Sequence, residues 1–334
     1  MRNSTKRIAS FALASVIGLT LVSCSSDSAD TTTETAATET AAAETTAAVE
    51  TSASDTEAPA ADTTATESVA AADTSAAIAA APVAAECASG KTISGDKLTI
   101  ATGEPAFPPY VINDKTPEDG EGLEAAVAMA VARELGFTPD KVSWVRTPFD
   151  AAIAPGPKDF DFNLQQYTIT DERKQVVDFS DGYYTAAQAV FGLADSSAAS
   201  AKTISELQKL KIGVAAGTTS VTYVEETIKP TTAAQIFNDN AAAKLALESK
   251  QVDAIVGDLP TALYVTNVEI PGTKVFGQIE GSGTDQFGLL LSKGNPLTEC
   301  VNQALAAITS SGELTQIQTK WMSEFTSAPM IKAG

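Results

Sequence analysis

The sequence predicts an α/β fold in two halves, preceded by a disordered linker. Three observations lead there. From about Lys97 onward, strand-like and helix-like patterns alternate, which implies parallel strands covered by helices. The patterned region runs to about 240 residues, more than one typical domain, and the βα pattern appears once before and once after residues 183–193. Residues 25–85, by contrast, are mostly Ala, Thr, Ser, Glu and Asp. They hold too few large apolar side chains to offset the entropy of ordering the chain.

The N-terminus reads as an address. Arg2, Lys6 and Arg7 precede an apolar run over residues 8–21, a length that suits a signal-peptide core and is short for a membrane span. The run ends in Leu21-Val22-Ser23-Cys24, which resembles a bacterial lipobox. The resemblance implies a lipoprotein signal peptide over 1–23, cleavage before Cys24, and diacylation (palmitate-type chains) of that cysteine. Two acyl chains anchor a protein where one is marginal. An ordinary secretory signal with an incidental cysteine is the alternative. Residues 24–90 then form the lipidated cysteine and a tether, a coil that would span roughly 40–50 Å r.m.s. and about 200 Å when stretched. Its threonines leave O-glycosylation open.

The patterned elements follow in order. Residues 98–101 read as a first strand. Leu123, Val127, Val131 and Leu135 recur every fourth residue, so 122–135 is an amphipathic helix that stops at Gly136. A strand over 141–145, a helix starting over 149–153 and a strand over 160–164 complete the first round. The second round has strands at 212–214, 235–237 and 253–256, with helices at 220–228, 241–249 and 260–265. A last apolar strand covers 287–291, and helices over 296–308 and 312–321 close the chain.

Composition removes several functions. Histidine is absent, so Ser-His and Cys-His nucleophile pairs and the commonest metal ligand are gone, and neither metal nor cofactor is expected. The net charge is −20; residues 25–85 hold eleven acids and no Lys or Arg, residues 1–24 three basic groups and no acids, which leaves −12 on the rest. Phosphate neutralisation needs clustered cations, so nucleic acid is excluded as a partner. Three cysteines are present, and with Cys24 lipidated an even pair remains. Outside the cytosol this suggests a Cys87–Cys300 disulfide, with two free thiols as the alternative.

The strongest chemical signal is Arg173. It follows a hydroxyl-rich turn, Thr168-Ile169-Thr170-Asp171, and precedes the apolar Val176-Val177. A guanidinium is a planar fork that suits a carboxylate, and adjacent hydroxyls complete an anion's hydrogen bonds. A surface ion pair with Asp171, Glu172 or Asp178 is the plain alternative.

This segment and five others, residues 101–111, 144–153, 211–220, 252–265 and 294–321, resemble the family 3 extracellular solute-binding proteins of bacterial ABC importers. The resemblance covers nearly all of 97–325. It implies a two-lobed type II periplasmic-binding-protein fold with a ligand cleft between the lobes. Lobe one would be 96–188 plus 288–327 and lobe two 189–287, with crossings near 189–194 and 285–290. It implies, too, that Arg173 and Thr168 hold an amino acid's carboxylate, joined by Thr218 and Thr219 at a helix start after Gly217. Asp258 and the Gln166 main-chain carbonyl would take the ammonium. Asp258 could equally cap the helix that Pro260 opens. Phe107, Tyr110 and Phe149 fall where the family packs rings on the ligand, core packing being the alternative for each. Glu104 either pairs with a cationic substrate, as in some relatives, or faces solvent. Arg146 pairs with an acidic substrate or faces water. Gln165-Gln166, where the family often has small residues, and the long 103–106 loop leave the substrate open.

The implied protein is a monomeric substrate-binding component of an ABC importer. It is anchored by lipid to the outer face of the bacterial cell membrane, binds an amino acid, docks on a permease and catalyses nothing. Two alternatives stand beside it: a cyclohexadienyl or prephenate-type dehydratase on the same fold, with Glu104 or Asp258 as general acid, and a ligand-sensing lipoprotein.

Overall fold

The structure is a computed structural model that describes residues 81–333. The signal peptide, the lipidation expected at Cys24 and most of the expected tether lie outside these residues. The tether's last residues do not behave as tether. Ala84 and Ala88 are buried, α1 (Ala85–Ala88) forms between them, and the Ala84 amide donates to the Glu134 carbonyl at 3.0 Å. Cys87 and Cys300 are disulfide-bonded, which pins this segment to the C-terminal helices across a sequence separation of 213.

In chain order the strands are β1 (Leu98–Thr102), β2 (Val142–Arg146), β3 (Phe162–Asn163), β4 (Val177–Ala186), β5 (Gln188–Leu193), β6 (Ile212–Ala215), β7 (Gln235–Phe237), β8 (Ala254–Asp258), β9 (Thr273–Ile279), β10 (Asp285–Ser292) and β11 (Met330–Ile331). Besides α1 the helices are α2 (Leu123–Glu134), α3 (Phe149–Ile153), α4 (Ile204–Leu207), α5 (Thr219–Tyr223), α6 (Asn240–Glu248), α7 (Leu259–Tyr264), α8 (Thr298–Ser310) and α9 (Glu313–Met322). Two sheets result, one ordered β2-β1-β3-β10-β4 and the other β11-β9-β5-β8-β6-β7. The protein is thus two-lobed. The chain leaves the first sheet at Ala187, returns through residues 280–284 into β10, and sends its tail back to the second sheet as β11.

The sheets are mixed rather than parallel throughout. β10 runs antiparallel to β3 and β4, and β5 runs antiparallel to β8 and β9. The crossing strands enter each sheet from the other lobe, so their direction is set by the return path and not by a βαβ crossover.

Period-two burial on both faces explains the layers. In β8, Ala254 and Val256 join one apolar cluster with Val190 and Val214, while Ile255 joins another with Phe191, Ala246 and Leu247. In β10, Leu289 and Leu291 face the cluster built by α2, α8 and α9, and Leu290 faces Ala101, Phe160 and Tyr167. Gly122 starts α2 at φ 108, where a Cβ would collide with the Tyr110 carbonyl. Among the described residues no helix is long and apolar enough to cross a membrane.

Candidate ligand cleft

A cavity of about 300 Å³ opens between the lobes. The first lobe lines it with Glu104, Phe107, Phe149, Gln166, Thr168 and Arg173; the second lines it with Thr218, Thr219, Asn238, Asp239 and Asp258. Nine of the ten expected ligand residues therefore meet at one cavity. Strand ends deliver them: the loop after β1, the start of α3, the segment after β3, the loop after β6 and the end of β8.

Arg173 is 8% exposed. The Thr170 hydroxyl accepts from its amide at 3.2 Å and starts the short turn that aims it. Its Nη1 donates to the Thr168 carbonyl and its Nη2 to the Gly217 carbonyl, both at 2.8 Å, so the guanidinium ties the two lobes. The Phe149 ring lies 5.4 Å beneath it and stacks in turn on Tyr167 at 4.6 Å. Burial lowers the Arg173 pKa from its ordinary value, and its acidic neighbours oppose this.

Asp258 ends β8 and stands at the start of α7, but its side chain makes no capping bond. It accepts instead from Gln188 Nε2 at 3.0 Å. Gln188 is wholly buried one residue past the crossing; its Nε2 also donates to Asp285 at 2.7 Å, and its Oε1 accepts from Ser220 Oγ at 2.6 Å. Thr219 Oγ1 donates to the same Asp285 oxygen at 3.0 Å. Burial, with Asp285 nearby, pushes the Asp258 carboxyl up to about 7.

A second carboxylate, Glu124 in the first turn of α2, lies behind the cavity wall and is 1% exposed. It accepts from the Gln166 amide at 2.6 Å, from Gln166 Nε2, and from the Tyr183 hydroxyl. Burial raises it to about 7 as well.

One expected ligand ring does not reach the cavity. Tyr110 is wholly buried in the first lobe's core, edge-on to Phe287 at 6.2 Å. Its carbonyl accepts from the Glu124 amide, so the start of α2 covers it. Arg146 is not a lining residue either: it donates to the Gly103 carbonyl at 2.7 Å and pairs with Asp114 at 3.0 Å, bracing the loop that carries Glu104. Glu104 stays exposed at the rim. Sequence reasoning missed Asn238, Asp239, Gln188 and Glu124. Asp239 was legible as a helix cap, since its Oδ1 accepts from the Ala242 amide at 2.7 Å, but its side chain borders the cavity too. Gln188 and Glu124 carry no local signal.

Residues 98–324 match the bacterial extracellular solute-binding proteins, family 3. The chain belongs to that family. The arginine-binding periplasmic protein of Mannheimia haemolytica is 28% identical over 245 residues, which are 70% of this chain and 94% of that one. Among solved structures, an ancestral arginine-binding protein bound to arginine is 32% identical, with a TM-score of 0.58 over 68% of this chain and 98% of its own. An ancestral amino acid-binding protein, a precursor of cyclohexadienyl dehydratase, is also 32% identical, with a TM-score of 0.57 over 68% of this chain and 95% of that chain.

Proposed function

We propose that this solute-binding protein takes a free α-amino acid in the cavity and delivers it to the permease of an ABC importer. One observation carries the reading: a buried guanidinium and a carboxylate, Arg173 and Asp258, border the same small cavity from different lobes. They are the complements of a carboxylate and an ammonium. Thr168, Thr218 and Thr219 supply hydroxyls beside Arg173, and Phe107 and Phe149 supply apolar walls. A micromolar affinity, about −8 kcal/mol, lies within what two such charged contacts and ring packing provide.

The lining also points to the side chain. Arg173 is the one cationic side chain among the lining residues, against Glu104, Asp239 and Asp258. A zwitterion satisfies Arg173 and Asp258 and leaves two acids for a cationic or strongly donating side chain. Contacts from both lobes favour the closed arrangement by differential affinity, and the permease would read that state. Lipidation at Cys24 would hold the protein at the outer face of the membrane near its permease. The dehydratase reading has one support, a lining carboxyl, Asp258, raised to about 7 and so suited to general acid work.

A thermal-shift screen against the common amino acids tests the proposal. Arginine or lysine should raise the apparent Tm, by mass action on the folded state. Silence across all amino acids would end the reading, and turnover of prephenate or arogenate would replace it with the enzyme.

A further inference from the structure

The sequence offers no reason for the acid at position 124, because apolar residues dominate the helix around it. The structure gives it a specific contact. Glu124 is sealed from solvent, and its carboxylate takes both kinds of N–H that Gln166 owns, main-chain and side-chain. Gln166 holds a left-handed backbone, φ 52, which a non-glycine residue adopts only under constraint. Among the described residues no donor reaches the Gln166 carbonyl, although the residue lines the cavity. A pinned, strained residue with an unpaired carbonyl thus lines the same cavity as Asp258.

We propose that Glu124 is a positioning residue for ligand recognition: by clamping Gln166 in its left-handed conformation, it holds the Gln166 carbonyl ready to accept from the substrate's ammonium group. The inference rests on the amino-acid reading above. Glu124 never touches the ligand; it acts through Gln166. Tyr183, on β4, donates to the same carboxylate oxygen as the Gln166 amide and further anchors Glu124.

The rival account makes Glu124 a plain tie between α2 and the segment after β3. Ligand selectivity separates the two. Glu124→Gln is isosteric and neutral, and burial already disfavours the charged form, so the variant should fold, with thermal unfolding recording only the loss of one hydrogen bond. The two Gln166 donors fall on different Glu124 oxygens, and glutamine replaces one of these by an NH2 group that only donates, so one Gln166 donor loses its acceptor. Calorimetry would use L-arginine and 5-guanidinopentanoic acid, which lacks the α-amino group. Should another amino acid lead the screen, its own des-amino acid takes that place. Glu124→Gln should weaken the amino acid at least tenfold and the des-amino acid less than threefold. Equal losses for both probes, or no loss for either, would overturn the proposal while leaving amino-acid binding by the parent intact. Failure of the parent to bind any amino acid would overturn both readings.

A second pair tests the backbone directly at a half-buried site. Gln166→Gly should keep the preference for the amino acid, because glycine accepts φ 52 and retains the carbonyl. Gln166→Val should lose it, because a β-branched residue resists that region. A valine variant that kept the parent's preference would sink the idea.

Discussion

Replacing Arg173 by alanine is the sharpest test of the cleft. In the structure the guanidinium spends one N–H on the Thr168 carbonyl and one on the Gly217 carbonyl, and among the described residues no other hydrogen-bond partner takes the rest of its fork. Truncating one partner of a buried, hydrogen-bonded charge pair costs about 2–5 kcal/mol, roughly 30- to 5,000-fold. A parent Kd near 1 μM would therefore move to between about 30 μM and several millimolar. The fold should lose less, about 1 kcal/mol, because Thr168 lines a cavity that water can enter and Gly217 lies between two lining residues, Ala216 and Thr218. Arg173→Lys should fall between, keeping the charge and losing the planar fork and its stacking on Phe149. Isothermal titration with L-arginine reads the affinity and thermal unfolding reads the fold. An Arg173→Ala variant that bound within threefold of the parent would refute the carboxylate assignment.

Four further outcomes follow from particular contacts. Asp258 stands near pH 7, raised by burial and by Asp285 and Glu124 and lowered by Gln188 and Arg173, and an ammonium group needs its ionised form. Amino-acid affinity should thus be flat above about pH 7.5, then weaken toward tenfold per unit below 7; Asp258→Asn should remove the slope, and a parent profile flat from pH 5.5 to 8 would contradict it. The same raised carboxyl makes the ligand-free protein lose stability as pH climbs from 3.8 toward 7, since the unfolded state ionises first. Gly217 sits at φ 68 with the Asp150 side chain of the other lobe against it, so Gly217→Ala should hinder closure and weaken binding several-fold; unchanged affinity would show that the lobes need not approach there. Breaking Cys87–Cys300 by double alanine substitution should cost about 2–5 kcal/mol in denaturant unfolding and leave Kd within twofold, because the bond lies away from the cavity; a large loss of affinity would couple the two.

Much of the fold was legible, for a physical reason that varies by element. α2 shows the helical period in its large apolar residues Leu123, Val127 and Val131, all buried, and β6 and β8 carry the short apolar runs that sheets covered on both sides require. β4 and β5 were not legible as strands. Their pattern mixes Asp181, Gly182 and Gln188 with apolar residues, and only four of the ten β4 residues are buried. β9 and β11 are edge-side pieces stabilised by pairing with distant chain, so nothing local marks them. The antiparallel entries of β5 and β10 depend on a return path of some 90 residues, which periodicity does not encode.

The candidate site divides in the same way. Sequence alone determined which groups were available: one arginine behind threonines, an aspartate ending an apolar strand, rings beside prolines, and no histidine for nucleophilic chemistry. Residue type and local spacing settle that much because they act within a few bonds. Only the tertiary structure decided which groups share a cavity. It sent Tyr110 into the core, turned Arg146 onto a loop carbonyl, and placed Glu124 and Gln188 behind the ligand-facing residues. Burial, and the pairing of polar groups that burial compels, depend on chain segments 40 to 100 residues apart meeting in space.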